Sequence, residues 1–369
     1  MKILFIFDYY FPHIGGAETL YQKLAEYFSQ DHEVHVVTQQ TSQSVAEEVL
    51  NDVHIHRISC FHRALFPYAA LETAKELAQD ADIIQATTYS SAVLASRLRN
   101  YSKAKMILLV HEVLGERWFQ LGLPWLQAWL YHRYERMIFR TPFDRYIAIS
   151  QSTGKQLEKV GVSPTKMEII YNGVDNELFQ EREMNWELRH QLGISDHEYV
   201  YLYAGRPGAT KGVFTLLEAA KELSKDKRFC CVLILGKNPT HDYQKVKNFI
   251  AKNRLGKSII LVDSVLRSDL PHYLAIANVV VVPSFTEGFG FLAAEVSNMQ
   301  IPMIVTNVDA LPEVVSGQVI FIPSKSSSAI VAAVEKAEQG MFQTVSPKDF
   351  SWETSLAQYD HLYEQLSTT

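Results

Sequence analysis

The feature that most constrains this chain is a series of short, almost unbroken apolar segments that alternates with amphipathic stretches, stops, and then starts again. In the first half the segments are Lys2–Phe7, Glu33–Thr38, His54–Ile58, Ile83–Ala86, Met106–Val110 and Tyr146–Ile149. Helical patterns such as Ala17–Phe28 and Leu71–Ala78 lie between several of them. A strand that is apolar on both faces needs cover on both, which is the condition of a parallel sheet flanked by helices. After Tyr171-Asn172-Gly173-Val174-Asp175 the chain becomes charged through His197, and the alternation then resumes. Its second series is Tyr199–Ala204, Cys230–Leu235, Ser258–Val262, Val279–Val282, Met303–Val305 and Val319–Phe321.

This pattern predicts an α/β protein of two Rossmann-like, doubly wound domains facing one another across a cleft, with boundaries at 1–177 and 178–350. A length of 369 residues suits two domains, since about 150 residues per domain is the usual expectation. The closing stretch Phe350–Leu366 carries Trp352, Leu356, Tyr359, Leu362, Tyr363 and Leu366 at helical spacing. That apolar face needs a surface to cover. A helix over about 351–369 either packs on its own domain or crosses back to the first.

Open parallel sheets bind ligands beyond the C-terminal ends of their strands, so informative residues should follow strands. The first segment runs into Phe11-Pro12-His13-Ile14-Gly15-Gly16-Ala17-Glu18, ahead of a helix. Paired glycines there let the backbone approach a ligand and aim free N–H groups at an anion; a plain turn would use them equally well. The second series opens with Ala204-Gly205-Arg206-Pro207-Gly208-Ala209-Thr210-Lys211-Gly212 and a helix from about Val213. A guanidinium, an ammonium and a positive helix end in one loop suit a pyrophosphate. The spacing is neither GxGxxG nor GxxxxGK[ST], which excludes the dinucleotide fingerprint and the ATP-hydrolysing P-loop.

The densest signal follows the strand ending at Val282: Pro283-Ser284-Phe285-Thr286-Glu287-Gly288-Phe289-Gly290-Phe291-Leu292-Ala293-Ala294-Glu295. Carboxylates accept two hydrogen bonds from vicinal hydroxyls, as on a sugar ring or ribose. Glu295 stands in the apolar stretch Leu292–Val296, and a buried charge there needs a partner.

Asp31-His32-Glu33-Val34, Gly15-Gly16, His111, Asn172-Gly173-Val174-Asp175, Gly205-Arg206 with Lys211-Gly212, Glu287 with Glu295, and the closing Phe350-Ser351-Trp352-Glu353 occur in one order. Together they resemble family 4 of the retaining glycosyltransferases (GT4), which have the GT-B fold, over nearly the whole chain. The resemblance implies transfer of a sugar from a nucleotide-diphosphate-sugar donor to a hydroxyl of a glycan or lipid-linked acceptor, as in polysaccharide biosynthesis. It implies a metal-independent, front-face reaction in which Arg206 and Lys211 hold and stabilise the departing diphosphate. Glu295 would bind the ribose, and Glu287 with the backbone of Gly288, Phe289, Gly290 and Phe291 would bind the transferred sugar. His111 would sit near that sugar and its phosphate, and Gly15 and Gly16 would line the acceptor and phosphate side. Val265 and Leu266, which follow a strand, are expected beside the nucleotide base. Beyond the donor, which is a substrate, no cofactor is implied. Two positions depart from the family: Gln300 stands where glycine is usual, and Asp309-Ala310 where a glycine pair is common.

Other classes fit less well. The net charge of −6 leaves no excess of cations for nucleic acid. Asp80-Ala81-Asp82 has the DxD form of a metal-dependent transferase, but it precedes a strand, at the wrong end for a site. It is expected to be a surface cap. His54 and His56 share a strand face without an evident third metal ligand. An inactive or epimerase-like nucleotide-sugar-binding protein of the same fold is the alternative function.

Adjacent strand cysteines, Cys230 and Cys231, point to opposite faces, and Cys60 stands alone, so a reducing, cytoplasmic compartment is expected. The opening MKILFIF meets Asp8 at once, unlike a signal peptide. No apolar run reaches the ~18 residues of a membrane span. Residues 117–145 combine Trp118, Trp125, Leu126, Trp129 and Leu130 with Arg133, Arg136, Arg140 and Arg145. They form either a core helix with solvated arginines or an interfacial helix resting on the inner face of a membrane.

Overall fold

The structure is a computed structural model that describes residues 1–13, 15–41, 44–236 and 240–367. It divides into two compact units, Met1–Gly173 with Ser351–Thr369, and Val174–Phe350. The chain thus leaves the first unit at Gly173, ahead of the expected 177, and re-enters it at Ser351.

In the first unit the strands are β1 (Lys2–Ile6), β2 (Glu33–Gln39), β3 (Glu47–Leu50), β4 (Val53–Ile58), β5 (Ile83–Thr87), β6 (Lys105–Val110), β7 (Arg145–Ala148) and β8 (Met167–Ile169). Its helices are α1 (Gly16–Phe28), α2 (Phe66–Ala69), α3 (Leu71–Ala78), α4 (Ser90–Leu98), α5 (Trp125–Arg140) and α6 (Gln151–Lys159). In the second unit α7 (Trp186–Gln191) precedes β9 (Tyr199–Gly205), α8 (Val213–Leu223), β10 (Phe229–Leu235), α9 (Thr240–Lys252), β11 (Ile259–Asp263) and α10 (Leu270–Leu274). Then come β12 (Val279–Val282), α11 (Phe291–Asn298), β13 (Met303–Thr306), α12 (Leu311–Val314), β14 (Gly317–Ile322), α13 (Ser327–Glu338) and β15 (Gln343–Val345). The closing helix is α14 (Trp352–Ser367).

The two sheets run β3-β4-β2-β1-β5-β6-β7-β8 and β11-β10-β9-β12-β13-β14-β15. Pairing is parallel except at the edge strands β3 and β15. Strand order reverses direction between β1 and β5, and again between β9 and β12. At these switch points the outgoing loops part and leave room for a ligand.

The second sheet shows why its strands are apolar throughout. Cys231, Leu233 and Leu235 face one core cluster, and Cys230, Val232 and Ile234 the other. The period of two therefore places the adjacent cysteines on opposite faces, both covered. Each fully buried aliphatic side chain contributes roughly 1.5–3 kcal/mol.

Helix α14 crosses back to the first unit, burying Leu356, Tyr359, Leu362, Tyr363 and Leu366. Tyr363 stacks on Phe28 at 4.6 Å and donates to Gln85 Oε1 at 2.7 Å. The start of α14 is pinned by Trp352 on Gly173, where a Cβ would lie 2.4 Å from Trp352 Cδ2 and 2.5 Å from its Cα. Only glycine admits that approach.

At the opposite end of the first sheet, Asp80 and Asp82 are both bound to Lys2. Asp80 Oδ1 meets Lys2 Nζ at 2.8 Å, and Asp82 Oδ2 accepts the Lys2 backbone N–H at 2.8 Å. They clamp the N-terminal ends of β1 and β5. His54 and His56 do share a face, where both stack on His35 from β2, whose Nδ1 lies 3.1 Å from His56 Nε2. Among the described residues no group of three or more His, Cys, Asp or Glu side chains is arranged to hold a metal.

Candidate functional site

The β9/β12 switch point gathers most of the residues singled out in the sequence. The loop after β9 turns on itself: Gly208 N–H donates to Arg206 O at 2.8 Å, and Lys211 N–H to Gly208 O at 3.1 Å. Tyr203 Oη, from the strand, donates to Arg206 O at 2.9 Å and fixes the turn from below. Gly212 has φ +73°, and a Cβ on it would sit 1.9 Å from Pro283 O. Both the backbone angle and the close approach demand glycine. Phe285 N–H donates to Thr210 O at 2.7 Å, so the loops after β9 and β12 are fastened to each other.

Helices α8 and α11 begin at Gly212 and Gly290, and neither has a side-chain cap. By contrast α6, α7 and α13 are capped by Ser150, Asn185 and Ser326. Glycine at an N-cap leaves the first N–H groups open to an external anion. Arg206 is exposed and, among the described residues, donates its guanidinium to no protein group.

Lys211 and Glu287 meet directly. The ammonium donates to both carboxylate oxygens at 2.8 Å, and Ser284 Oγ adds a bond to Oε2 at 3.1 Å. Each of the two residues is expected from the sequence to meet a ligand; the fold pairs them with each other. The Glu287 N–H donates to Asp309 Oδ2 at 3.2 Å, so one of the departures from the family pattern touches the site. Phe289 turns away into the core, edge-on to Phe291 and Phe350 at 5.2 and 5.4 Å. The Gly288–Phe291 segment is thereby anchored by its side chains.

Glu295 lies one turn into α11, nearer the helix start than its distance from Glu287 in sequence suggested, because residues 288–290 are loop. It is buried, and its Oε1 accepts from Arg267 Nη2 at 2.6 Å. Burial pushes its carboxyl up to about 6, against the opposing pull of Arg267. Arg267 lies over the Phe179 ring at 5.0 Å. Arg267 was missed in the sequence; the signal for it was the partner that a Glu in an apolar helix requires. Val265 is half-buried and Leu266 exposed in the segment after β11.

The first unit carries the remaining predicted residues. Gly15 caps α1 with no side-chain bond. Its φ of −172° is ordinary extended backbone, so any value it has lies in the open N–H groups, not in glycine's conformational freedom. Ile14 of the same motif lies outside the described residues. His111 follows β6, and its Nε2 is 2.6 Å from Tyr21 Oη. Burial pushes the imidazole down to about 4, so it is neutral near pH 7 and acts as a hydrogen-bonding group, not a cation.

The fold and site thus define a protein of two doubly wound α/β units, one with a cationic glycine loop fastened to a Glu-Gly-Phe-Gly loop at its switch point. Comparison with known proteins narrows the class. Residues 14–178 match the family described as Glycosyltransferase Family 4, and residues 184–344 match Glycosyl transferases group 1. A glycosyltransferase of Methanocaldococcus jannaschii is 23% identical over 356 residues, covering 91% of this chain and 88% of the relative. Sucrose-phosphate synthase from Thermosynechococcus elongatus shares the fold with a TM-score of 0.83 at 19% identity, over 100% of both chains. Anabaena HepE, solved in complex with UDP-glucose, gives a TM-score of 0.79 at 18% identity, over 99% of this chain and 100% of its own. The chain belongs to the family 4 glycosyltransferases and has the GT-B fold.

Among the described residues no helix is long and apolar enough to cross a membrane. Helix α5 packs Ile138 and Phe139 into the core of the first unit and exposes its arginines, as a core-packing helix does, but Trp125, Leu126, Trp129, Leu130 and Met137 are exposed with them.

Proposed function

We propose that this glycosyltransferase uses a nucleoside-diphosphate sugar, retains the anomeric configuration, and needs no metal. The observation that carries the reading is the pairing of Lys211 with Glu287 in a loop cluster that also presents Arg206 and two uncapped helix starts. Charge develops on the diphosphate as the anomeric C–O bond breaks, and preorganised cations and N–H dipoles stabilise it. Arg206, Lys211 and the α8 N-terminus supply that positive field. The Asp80 and Asp82 carboxylates, which have the DxD form of a metal-dependent transferase, are bound to Lys2.

In the proposed step the acceptor oxygen bonds to the anomeric carbon on the face from which the diphosphate departs. Its proton passes to a departing phosphate oxygen, so no protein nucleophile is required. Glu287 exchanges its bond to Lys211 for bonds to sugar hydroxyls when Lys211 turns to phosphate. Glu295 binds the ribose, His111 donates or accepts near the sugar, and Val265 lies by the base. The UDP-glucose bound by HepE makes UDP-glucose the first donor to test.

The acceptor is a glycan or a lipid-linked saccharide. The exposed aromatic and arginine face of α5 favours an acceptor at an anionic membrane surface, where the enzyme would rest peripherally. Donor hydrolysis and transfer, measured over a panel of nucleotide sugars with and without a chelator, test the reading. Turnover that disappears on chelation and returns with manganese overturns the metal-free part. Donor binding without any turnover would instead favour a nucleotide-sugar-binding protein.

A further inference from the structure

In the first unit the His111 ring is held from one side only. Phe7 follows β1, Thr87 ends β5 and His111 follows β6, three neighbours in the sheet, and Tyr21 of α1 meets all three. Its ring stacks on Phe7 at 4.0 Å with an interplanar angle of 7°. The Thr87 hydroxyl bonds to its Oη, and the same oxygen lies 2.6 Å from His111 Nε2. Tyr21 is buried, and Phe7 stacks in turn on Phe5 and Tyr10 at 5.3 and 6.2 Å, so the phenol sits on a packed support. The imidazole stands edge-on to it at 5.4 Å and 61°. The ring is half-buried, and among the described residues nothing bonds its Nδ1.

One hydrogen lies in the Tyr21–His111 bond, and the atom that owns it decides what the other edge of the imidazole can do. Burial, with Glu18 and Asp8 nearby, holds the Tyr21 phenol well above its ordinary range, and burial keeps His111 neutral near pH 7. Each group therefore carries one hydrogen. A bond from Nε2–H to the phenol oxygen belongs at roughly 2.7–3.2 Å, and the observed separation is shorter, as suits an O–H donor. The chemistry agrees. A phenol is a far stronger acid than a neutral imidazole N–H, and an imidazole nitrogen accepts better than an oxygen whose lone pair is drawn into a ring. Thr87, donating to the phenol oxygen, leaves the Tyr21 hydrogen free for His111. With Nε2 accepting, the single N–H of a neutral imidazole is on Nδ1.

We propose that Tyr21 is a positioning residue that donates to His111 Nε2 and so holds the imidazole as its Nδ1–H tautomer, making His111 a hydrogen-bond donor to the sugar nucleotide and not a base. This rests on the transfer reading for the ligand and deepens it. An Nδ1–H binds only an accepting oxygen, of a sugar hydroxyl or of the diphosphate. The proton of the attacking hydroxyl then has no place on His111, in keeping with its passage to a departing phosphate oxygen. A mere tie between α1 and the sheet would hold with the hydrogen on either atom, so the tautomer separates the two roles where stability does not.

Long-range proton–nitrogen NMR on the full chain with isotopically labelled histidine tests this, the His111 signal being assigned by its loss in His111→Asn. In the original chain Nδ1 should appear protonated and Nε2 unprotonated. Tyr21→Phe keeps the ring stack and should move the proton to Nε2. Hydrolysis of the best of UDP-glucose, ADP-glucose and GDP-mannose should then fall about tenfold in kcat, while the matching free diphosphate binds within about twofold of the original. His111→Asn keeps an N–H near the Nδ1 position and should turn over several-fold faster than His111→Gln, which keeps one near Nε2; this contrast serves if Tyr21→Phe does not fold. The sugar nucleotide should shift the Nδ1–H signal. An equal shift from the free diphosphate assigns the contact to phosphate, and none from it assigns the contact to the sugar. An Nε2–H tautomer in the original chain, an unaltered tautomer or kcat in Tyr21→Phe, or a signal that no sugar nucleotide moves overturns the proposal. The expected tautomer and shift in a chain that hydrolyses and transfers none of the three uphold it and fail the transfer reading instead.

Discussion

The Lys211 ammonium holds both carboxylate oxygens of Glu287 at 2.8 Å, which couples the loop after β9 to the loop after β12. The pair holds the ammonium between the two loops, and in the proposed reaction Lys211 exchanges Glu287 for the departing diphosphate, whose developing charge it stabilises. Lys211→Ala should lower kcat by about 10²–10³, the scale seen when one stabilising donor of a transition state is removed. Stability should fall as well, because Glu287 would be left half-buried without its cation. Steady-state kinetics with a thermal-melt control check both; near-original kcat in a folded variant contradicts the assignment.

Gly212 is the hinge of that coupling. Alanine there would combine a φ of +73° with a Cβ 1.9 Å from Pro283 O, and the contact is to backbone, which cannot swing aside. The expected loss is about 2–4 kcal/mol, the sum of left-handed strain and overpacking. Chemical denaturation measures it directly, and a shift below ~1 kcal/mol would show that the two loops part easily.

Much of this was legible beforehand, and the failures have physical causes. The runs Val279–Val282 and Leu71–Ala78 coincide with a strand and a helix of the structure, because a sheet covered on both faces and an amphipathic helix leave unambiguous periods. The strands β3, β8 and β15 escaped notice: they are short, lie at sheet edges and carry few apolar residues. The glycine loops were readable since strand, glycines and helix are contiguous. Ion pairs were not, because Lys211 and Glu287 lie 76 residues apart, Asp8 and Arg63 55, and Arg267 and Glu295 28. Sequence shows that a buried charge needs a partner, but only the fold shows which.

The two departures from the family pattern follow one rule. Gln300 and Asp309 both have positive φ, +56° and +46°, so the backbone keeps a conformation glycine would prefer while the side chain has changed. Gln300 recovers part of the strain through a bond from Nε2 to Glu181 Oε2 at 2.9 Å. Gln300→Gly should therefore stabilise the chain modestly, by up to about 1 kcal/mol, since relief of strain outweighs an exposed hydrogen bond and added chain entropy. Asp309→Gly should not behave alike, because it also removes the acceptor of the Glu287 N–H. Parallel melts of the two variants, with donor KM for Asp309→Gly, separate the effects.

Glu295 sets a pH dependence. Its carboxyl is raised from the ordinary 4.5 to about 6 by burial, so folding favours its protonated form. The associated stability is fully present below about 4.5 and is lost as pH rises through about 6, an effect of about 2 kcal/mol. Glu295→Gln should remove that slope. Ribose recognition needs the ionised form as acceptor, so affinity for the best nucleoside diphosphate among UDP, ADP and GDP should fall below about pH 6. Calorimetric titrations of both forms from pH 5 to 8 check the pair of trends, and a flat affinity profile in the original chain contradicts the ribose role.

The exposed face of α5 yields the last expectation. At 100° per residue, Trp125, Leu126, Trp129, Leu130, Arg133, Arg136, Met137 and Arg140 fall within an arc of about 140°. The apolar members occupy mainly the first half of the helix and the arginines the second. Arg133, Arg136 and Arg140 also line an open cavity of 660 Å³ with Met137, Thr141 and Pro142, and no carboxylate lies among the residues lining it. Glu135 is turned inward, where it accepts from the Leu114 and Gly115 N–H groups at 3.0 and 2.7 Å, and so does not offset the arginines. Indole rings entering the interface beside guanidinium groups facing phosphates is the arrangement of a peripheral helix on anionic lipid. The chain should co-sediment with phosphatidylglycerol-containing vesicles and much less with phosphatidylcholine alone. Replacing Trp125 and Trp129 by serine should reduce binding at least tenfold without lowering the melting temperature, as both rings are exposed; raising salt should weaken what remains. Equal sedimentation of both forms would mean that the α5 face serves something other than a membrane.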